Sequence, residues 1–418
     1  MEGNVLEVKL WGQTVGLLSW DKKRGCATFQ FDADFVHCGW NISPITAPLS
    51  SPLVQNGFPI SGNKEKLYAG LPEFLADSLP DRWGNQVFQK WLESNHLHCK
   101  DVNAVDRLSF IGKRGMGALE FQPAHMEEDA PTDIHLHSLY ELADQIFSNR
   151  QDVSIDMSHD LLLEDLYKIG TSAGGQRPKA IIAIDERTRR IRSGQAQLPP
   201  EFKYYILKFD CGNGDFPYSQ IEMAYYLMAK DAGIQMMPSK LIEINGRQHF
   251  LTQRFDRKDG HKIHTQTLAA MSSLADTYED LFIVGRRIGL TSEEQAEQYR
   301  RMVFNILAAN VDDHTKNFSF MMDRDGAWHI TPAYDLIFSV DLDSLFFRHH
   351  ELSLLGKRNN ITRQDLLLFA KRQDIKDADA LIDHVAGTVN RFRHYAEIVN
   401  IPSLCAERME GVLKECAI

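Results

Sequence analysis

An α+β fold, strand-rich up to about residue 257 and mainly helical beyond it, is what the sequence predicts. Three observations carry that reading. Apolar residues alternate at period two in Val5-Leu6-Glu7-Val8-Lys9-Leu10 and again from Ala27 to Phe31, the pattern of half-buried strands. Asn245-Gly246 sits between two β-branched and aromatic runs, as in a tight hairpin whose turn needs positive φ values. After Asp256-Arg257-Lys258-Asp259-Gly260, which looks like a hinge, the apolar spacing becomes helical. At 418 residues and 43% hydrophobic content, the chain is too long for one core and apolar enough for two or three.

Along the chain, residues 67 to 94 carry helical spacing, with Leu71, Phe74, Leu75 and Leu79 before Pro80 and Val87, Phe88, Trp91 and Leu92 after it. Pro80 therefore separates two helices. The acidic, Pro-containing stretch from Glu127 to Asp133 reads as a linker. It places a β-rich subdomain over 1–126, a mixed lobe over 134–257 and an α-helical lobe over 258–418. In the mixed lobe, helices at Leu139 to Phe147 and Leu161 to Tyr167 lead into Gly170-Thr171-Ser172-Ala173-Gly174-Gly175-Gln176-Arg177-Pro178-Lys179. Strands follow from Ala180 to Ile184 and from Tyr204 to Phe209, then a helix from Ile221 to Lys230, then the Asn-Gly hairpin. In the last lobe, Thr291-Ser292-Glu293-Glu294 is a capping box, its hydroxyl and carboxylate satisfying the first amides of a helix that runs to Ala309. Asp323 to Gly326 turns a short hairpin, and helical repeats at Leu366 to Ala370, Ala380 to Val389 and Val412 to Cys416 close the chain.

Composition narrows the functional classes. No apolar run approaches the roughly 20 residues of a membrane span, and the start lacks a basic region followed by an apolar one. A soluble, cytoplasmic chain without a membrane partner is expected. Six scattered cysteines form no C-x-x-C pair, so neither a disulfide framework nor a cysteine zinc site is indicated. A formal charge of -11 opposes direct attraction to nucleic acid. Any DNA contact is expected through a partner.

The chemistry is concentrated in Val311-Asp312-Asp313-His314-Thr315-Lys316-Asn317-Phe318 and, behind the hairpin, Ala333-Tyr334-Asp335. Phosphoryl transfer needs a carboxylate to orient the attacking hydroxyl and oxygen ligands for Mg²⁺ against nucleotide phosphates. Asp312, Asn317 and Asp335 have that order and spacing. Upstream, the amides freed by Gly174 and Gly175 can form an anion nest beside Thr171, Ser172 and Ala173, ahead of basic Arg177 and Lys179. Lys208 inside an apolar strand needs a counter-ion, and Glu222, early in the next helix, is the natural one. Together these predict a two-lobed, protein-kinase-like fold with an ATP-binding N-lobe.

Each motif has a plainer reading. D-x-x-x-x-N is common on surfaces, Gly-Gly is often an ordinary turn, and Lys208 could point to solvent from an edge strand. The glycine stretch also fails the Walker pattern, because Gln176-Arg177 follows it. Position decides for function, since every piece falls where a nucleotide would need it. His96, His98 and Cys99, His135 and His137, and His349-His350-Glu351 lack paired zinc spacing and read as solvated loops. His314 is read either as a brace for the loop or phosphates, or as a structural hydrogen bonder.

These strings resemble the HipA family of serine/threonine toxin kinases over nearly the whole chain. The N-terminal part matches in Leu10-Trp11-Gly12 with Val15-Gly16, in Ser78-Leu79-Pro80-Asp81-Arg82-Trp83-Gly84-Asn85, and in Gly112-Lys113-Arg114-Gly115-Met116-Gly117-Ala118-Leu119. The kinase part matches in Thr171 with Gly174, in Lys208, in Arg254-Phe255-Asp256-Arg257, in Asp312 to Phe318, and in Tyr334-Asp335. The best-known members have Glu at the place of Gln253, Gly at that of Asp313 and Ser at that of Thr171.

The resemblance implies an ATP- and Mg²⁺-dependent protein kinase, the toxin of a bacterial toxin-antitoxin pair. Asp312 would orient the hydroxyl, Asn317 and Asp335 would hold Mg²⁺, and Lys208 would bind the phosphates. Residues 171–175, His314 and Lys316 would line the nucleotide, the backbone from Gln253 to Phe255 would meet adenine, and Asp256 the ribose. Thr171 or Ser172 would be autophosphorylated. The implied partners are a protein substrate and a helix-turn-helix antitoxin, with DNA reached only through the antitoxin. Two other readings stand beside this one: a co-repressor acting chiefly as a binding module, and a small-molecule kinase.

Overall fold

The structure, a computed structural model, describes residues 5–124, 133–148, 166, 167, 169, 170, 177–211, 216–342 and 349–418. It divides into two compact units: 1–214 with 242–266 and 321–326, and 215–241 with 267–320 and 327–418. The first is built on sheets and the second on helices, the α+β class that the sequence predicts.

The first unit holds two five-stranded sheets. One, in the order β4-β3-β2-β1-β5, joins β1 (Leu6–Leu10), β2 (Gln13–Asp21), β3 (Cys26–Phe31), β4 (Ile60–Ser61) and β5 (Leu119–Gln122). Leu6, Val8 and Leu10 are buried while Glu7 and Lys9 alternate outward, the period-two pattern in three dimensions. Gly16 is required here: a Cβ on it would lie 2.2 Å from the Gln30 carbonyl oxygen of the paired strand.

The second sheet, in the order β7-β6-β8-β10-β9, joins β6 (Lys179–Asp185), β7 (Arg190–Ser193), β8 (Phe202–Lys208), β9 (Ser239–Ile244) and β10 (Arg247–Gln253). Asn245 and Gly246 turn the last hairpin with φ of 51° and 72°. One face of this sheet, through Ala180, Ile182, Tyr205, Leu207 and Leu251, packs on Trp83, Val87 and Phe88 of the helix Arg82–Ser94 and on Leu139 and Ala143 of the helix Leu136–Phe147. Most of the linker stretch lies outside the described residues. The segments on either side of it share this one core.

Asp81, just after Pro80, caps the helix Arg82–Ser94, its carboxylate accepting from Gly84 N at 2.9 Å. The helical spacing before Pro80 yields only a single turn, Glu73–Ala76.

The second unit is mostly helical. The capping box forms as predicted: Thr291 Oγ1 accepts from Glu294 N at 3.2 Å, and Glu294 Oε2 accepts from Thr291 N at 2.9 Å. Its helix, Ser292–Leu307, carries a buried Glu297–Arg301 pair at 3.0 Å, with Glu297 also accepting from Gln235 N at 3.0 Å. Four helices close the chain: Arg363–Gln373, Ala378–Val389, Phe392–Ile398 and Ser403–Glu415. Among the described residues no helix is long and apolar enough to cross a membrane.

Candidate active site

The helix Ser292–Leu307 delivers the chain into the Asp312 loop through Ala309, which turns the backbone at a φ of 51°. Side chains then hold the loop's amides. Ser339 Oγ accepts from Val311 N at 2.7 Å and from Asp312 N at 3.0 Å, and donates to Asn310 Oδ1 at 3.3 Å. Asn310 Nδ2 donates to Asn305 Oδ1 at 2.9 Å, tying the loop back to the helix. Further along, the Asn317 amide group donates to the Asp312 carbonyl at 2.7 Å and Asn317 N donates to the His314 carbonyl at 2.9 Å. The five-residue spacing thus closes a ring between Asp312 and Asn317.

His314 is a brace. Its Nδ1 accepts from Lys316 N at 3.2 Å, which places the proton of the neutral ring on Nε2, and Nε2 lies 4.0 Å from Asp312 Oδ1. Tyr334 donates to the Lys316 carbonyl at 2.8 Å and also meets Ser319 Oγ. That contact sets Asp335, itself in a left-handed conformation at a φ of 52°, against the loop. Asn317, Asp335, Asp313, Asn305 and Asn310 line one small cleft.

The Asp312 carboxylate is half-exposed. Loss of solvent around it pushes its protonation above the usual carboxylate range. His314 opposes that rise, and the carboxylates of Asp335, Glu351 and Asp313 add to it. An anionic neighbourhood of this kind suits a divalent cation. Among the described residues no three His, Cys, Asp or Glu side chains gather as a complete metal cage. The donor set fits Mg²⁺ all the same, because that ion takes one or two protein oxygens and fills its octahedron with water and phosphate. Since the Asn317 Nδ2 is turned to Asp312, its Oδ1 could face an ion, and the Asp335 carboxylate of the same cleft could be a second ligand.

Asp313 does something that the spacing did not reveal. It is fully buried and accepts from His350 Nδ1 at 2.9 Å, from Glu351 N at 2.8 Å and from the Tyr278 hydroxyl. Asn305 Nδ2 donates to that same hydroxyl at 3.3 Å. The solvated-loop reading of His349-His350-Glu351 is therefore corrected at His350, which is buried, while His349 and Glu351 are exposed. Double His with a following Glu gave no signal of this; only the fold brings Asp313 to it.

The first unit carries most of the remaining residues. Lys208 ends β8, directly opposite Lys179 and Phe250, with its Nζ 5.8 Å from the Phe250 ring centroid. Gln253 ends β10 opposite Tyr205, and Arg254 N donates to the Tyr204 carbonyl at 2.9 Å just before Phe255. Glu222 is buried on the helix Tyr218–Asp231 of the second unit. Thr171, Ser172, Ala173, Gly174 and Gly175 lie outside the described residues.

Asp256, expected at the ribose, lies in a buried cluster of charges. Its carboxylate is fully buried and occupied by Arg254 Nε at 2.8 Å, Arg254 Nη2 at 2.7 Å, Arg257 Nη1 at 2.8 Å and Gly117 N at 2.8 Å. Burial alone would raise its protonation, but the two guanidiniums outweigh that and hold it well below the carboxylate range. Held by four donors, one on Oδ1 and three on Oδ2, it locks the hinge to the Gly115–Gly117 turn; Arg257 reaches the carbonyls of Gly117 and Gly115 at 3.0 and 3.1 Å.

Comparison with known proteins agrees with these motifs. The HipA N-terminal domain model matches residues 6–122 and the HipA-like C-terminal domain model matches residues 171–393. Two Sinorhizobium fredii proteins are similar along most of their length. "Putative kinase Y4mE" is 24% identical over 87% of this chain and 84% of its own, and "Putative kinase Y4dM" is 27% identical over 95% and 93%. The fold is also that of HipA from Shewanella oneidensis, solved with HipB and its operator DNA, at a TM-score of 0.63 and 18% identity, covering 98% of this chain and 95% of that one. With the C-terminal model spanning more than half of its 418 residues, the chain belongs to the HipA family.

Proposed function

We propose that this chain is an ATP- and Mg²⁺-dependent protein serine/threonine kinase, acting in the cytoplasm as the toxin of a toxin-antitoxin pair. The observation that carries the reading is the ring closed by Asp312 and Asn317, with Asp335 lining the same cleft. Asp312 is exposed enough to receive a substrate hydroxyl and accept its proton, while His314 holds the loop's shape behind it. Asn317 and Asp335 would hold Mg²⁺, whose charge would offset that of the nucleotide phosphates. Lys208 binds the α- and β-phosphates, supported by Glu222. His314 and Lys316 flank the phosphates, and the Gln253 and Phe255 backbone receives adenine. Residues 171–175 cover the nucleotide, and Thr171 or Ser172 is the site of self-phosphorylation.

Incubation with Mg²⁺ and labelled ATP should label the wild-type chain at Thr171 or Ser172 and leave Asp312→Gln unlabelled. Labelling that persists in the variant would remove Asp312 from its role.

A second reading rests on the likeness to a HipA solved with HipB and operator DNA. A helix-turn-helix antitoxin binds this chain as well, and carries it onto DNA that the chain, at a net charge of -11, does not hold alone. Gel-shift titration with and without the antitoxin tests this. Tight, salt-resistant binding by the chain alone would refute it.

A further inference from the structure

Arg301 lies inside the helix Ser292–Leu307 and is only 5% exposed. A guanidinium so deep in the protein needs its donors met. Its Nε donates to Glu297 Oε1 at 3.0 Å. That carboxylate has other work: Oε1 also accepts from Gln235 N at 3.0 Å, and Oε2 accepts from Arg300 Nη1 at 2.7 Å. The Nη2 of Arg301 is buried and has no hydrogen-bond partner among the described residues. A buried donor left unmade costs stability, so one that persists asks for a partner that arrives later.

The place of Arg301 says which partner. Its side chain lines the same small cleft as Asn317 and Asp335, the proposed metal ligands. The Glu297–Arg301 pair also reaches the Asp335 segment through the backbone: Gln235, whose amide Glu297 holds, accepts at its carbonyl from Ala333 N at 2.8 Å, just ahead of Asp335. Glu297 thus fixes where that segment runs, and Arg301 brings a spare donor to the cleft. A forked guanidinium can do both, with one arm on the carboxylate and another at the cleft. A lysine would satisfy Glu297 with its single ammonium and reach no further.

We propose that Arg301 is a positioning residue for the metal site: its Nη2 is the donor reserved for the Asp335 carboxylate, holding one oxygen so that the other faces a divalent cation. Carboxylates that ligate metals are themselves hydrogen-bonded in this way, which fixes their direction. Glu297 offsets the charge of Arg301, so the donor comes without a full positive charge to repel the ion. This rests on the reading of Asn317 and Asp335 as metal ligands.

Arg301→Lys keeps the charge and the pairing with Glu297 and removes only the second arm. Mn²⁺, standing in for Mg²⁺, is titrated into the chain saturated with a non-hydrolysable ATP analogue, and bound ion is read by electron paramagnetic resonance. The melting temperature of the metal-free chain is recorded beside it. Arg301→Lys should melt within about 2 °C of wild type and bind Mn²⁺ about 10-fold more weakly. Should Arg301→Lys fail to fold, the double variant Glu297→Gln with Arg301→Gln decides, because it removes both charges together. It should weaken Mn²⁺ binding by a similar factor. Wild-type affinity for Mn²⁺ in whichever of these variants folds overturns the proposal. If Asp335→Asn binds Mn²⁺ as tightly as wild type does, the reading of Asp335 as a metal ligand fails instead.

Discussion

Asp313 accepts a hydrogen bond from the buried His350 at 2.9 Å, directly beneath the loop that presents Asp312. The loop's second carboxylate is a foundation for the first. It joins residues 350 and 351 to the loop and to Tyr278.

Removing that foundation should misplace Asp312 rather than abolish nucleotide binding. Asp313→Ala leaves donors of Tyr278 and His350 without their acceptor, costing about 1–3 kcal/mol for each. Steady-state kinetics should show kcat down roughly 10- to 100-fold, with KM for ATP within about twofold. A large change in KM alone would contradict the role.

The two proposed metal ligands should separate by their second duties. Asp335→Asn should cut turnover by roughly 100-fold and raise the Mg²⁺ concentration at half-maximal rate. Asn317→Ala should do the same and also loosen the loop, since it loses the bond to the Asp312 carbonyl. Rate against Mg²⁺ concentration, paired with thermal unfolding, reads both duties of Asn317: Asn317→Ala also lowers the melting temperature.

The buried Asp256 cluster makes a different prediction. Asp256→Asn leaves Arg254 and Arg257 facing each other with little compensation, a loss of about 3–5 kcal/mol in unfolding experiments. The ratio of affinities for ADP and 2′-deoxy-ADP should stay at the wild-type value. A selective loss for ADP would restore the ribose contact.

Acid should destabilise the first unit through two histidines. Burial pulls His249 and His264 down to about 4 from an ordinary 6.5. His249 is held neutral, its Nδ1 accepting from Asp210 N at 2.8 Å and its Nε2 donating to the Ile244 carbonyl at 3.3 Å. Between about pH 6.5 and 4 the unfolded chain binds more protons than the folded one, so stability is full above that window and is lost as pH falls through it. Each histidine contributes at most about 3 kcal/mol. Urea unfolding across that range should give a shallower pH slope for His249→Asn than for wild type.

Much of this was legible in the residues. The Asn245-Gly246 turn and the Thr291 capping box are local, and each formed as its chemistry requires; the Asp312–Asn317 spacing, local as well, closes a hydrogen bond. What stayed hidden was long-range. Tyr278, Ser339 and His350 lie 35, 27 and 37 residues from their loop partners, and no periodicity links positions so far apart. The enclosure of Asp256 stayed hidden for a related reason: an acidic residue beside a hinge gives no sign that two arginines and a distant glycine amide will surround it.

The helix Ser292–Leu307 acts as a caliper. At its start, Glu294 Oε1 accepts from Ile330 N at 3.0 Å, shortly ahead of Asp335; at its end, Asn305 grips Asn310, shortly ahead of Asp312. Both arms of the site are thereby measured off one rigid rod, and its length sets the gap between them. One residue added within it would swing an arm by about 100° and shift it by about 1.5 Å. The proposed ligands would then no longer meet on a common ion, even with every reactive side chain intact.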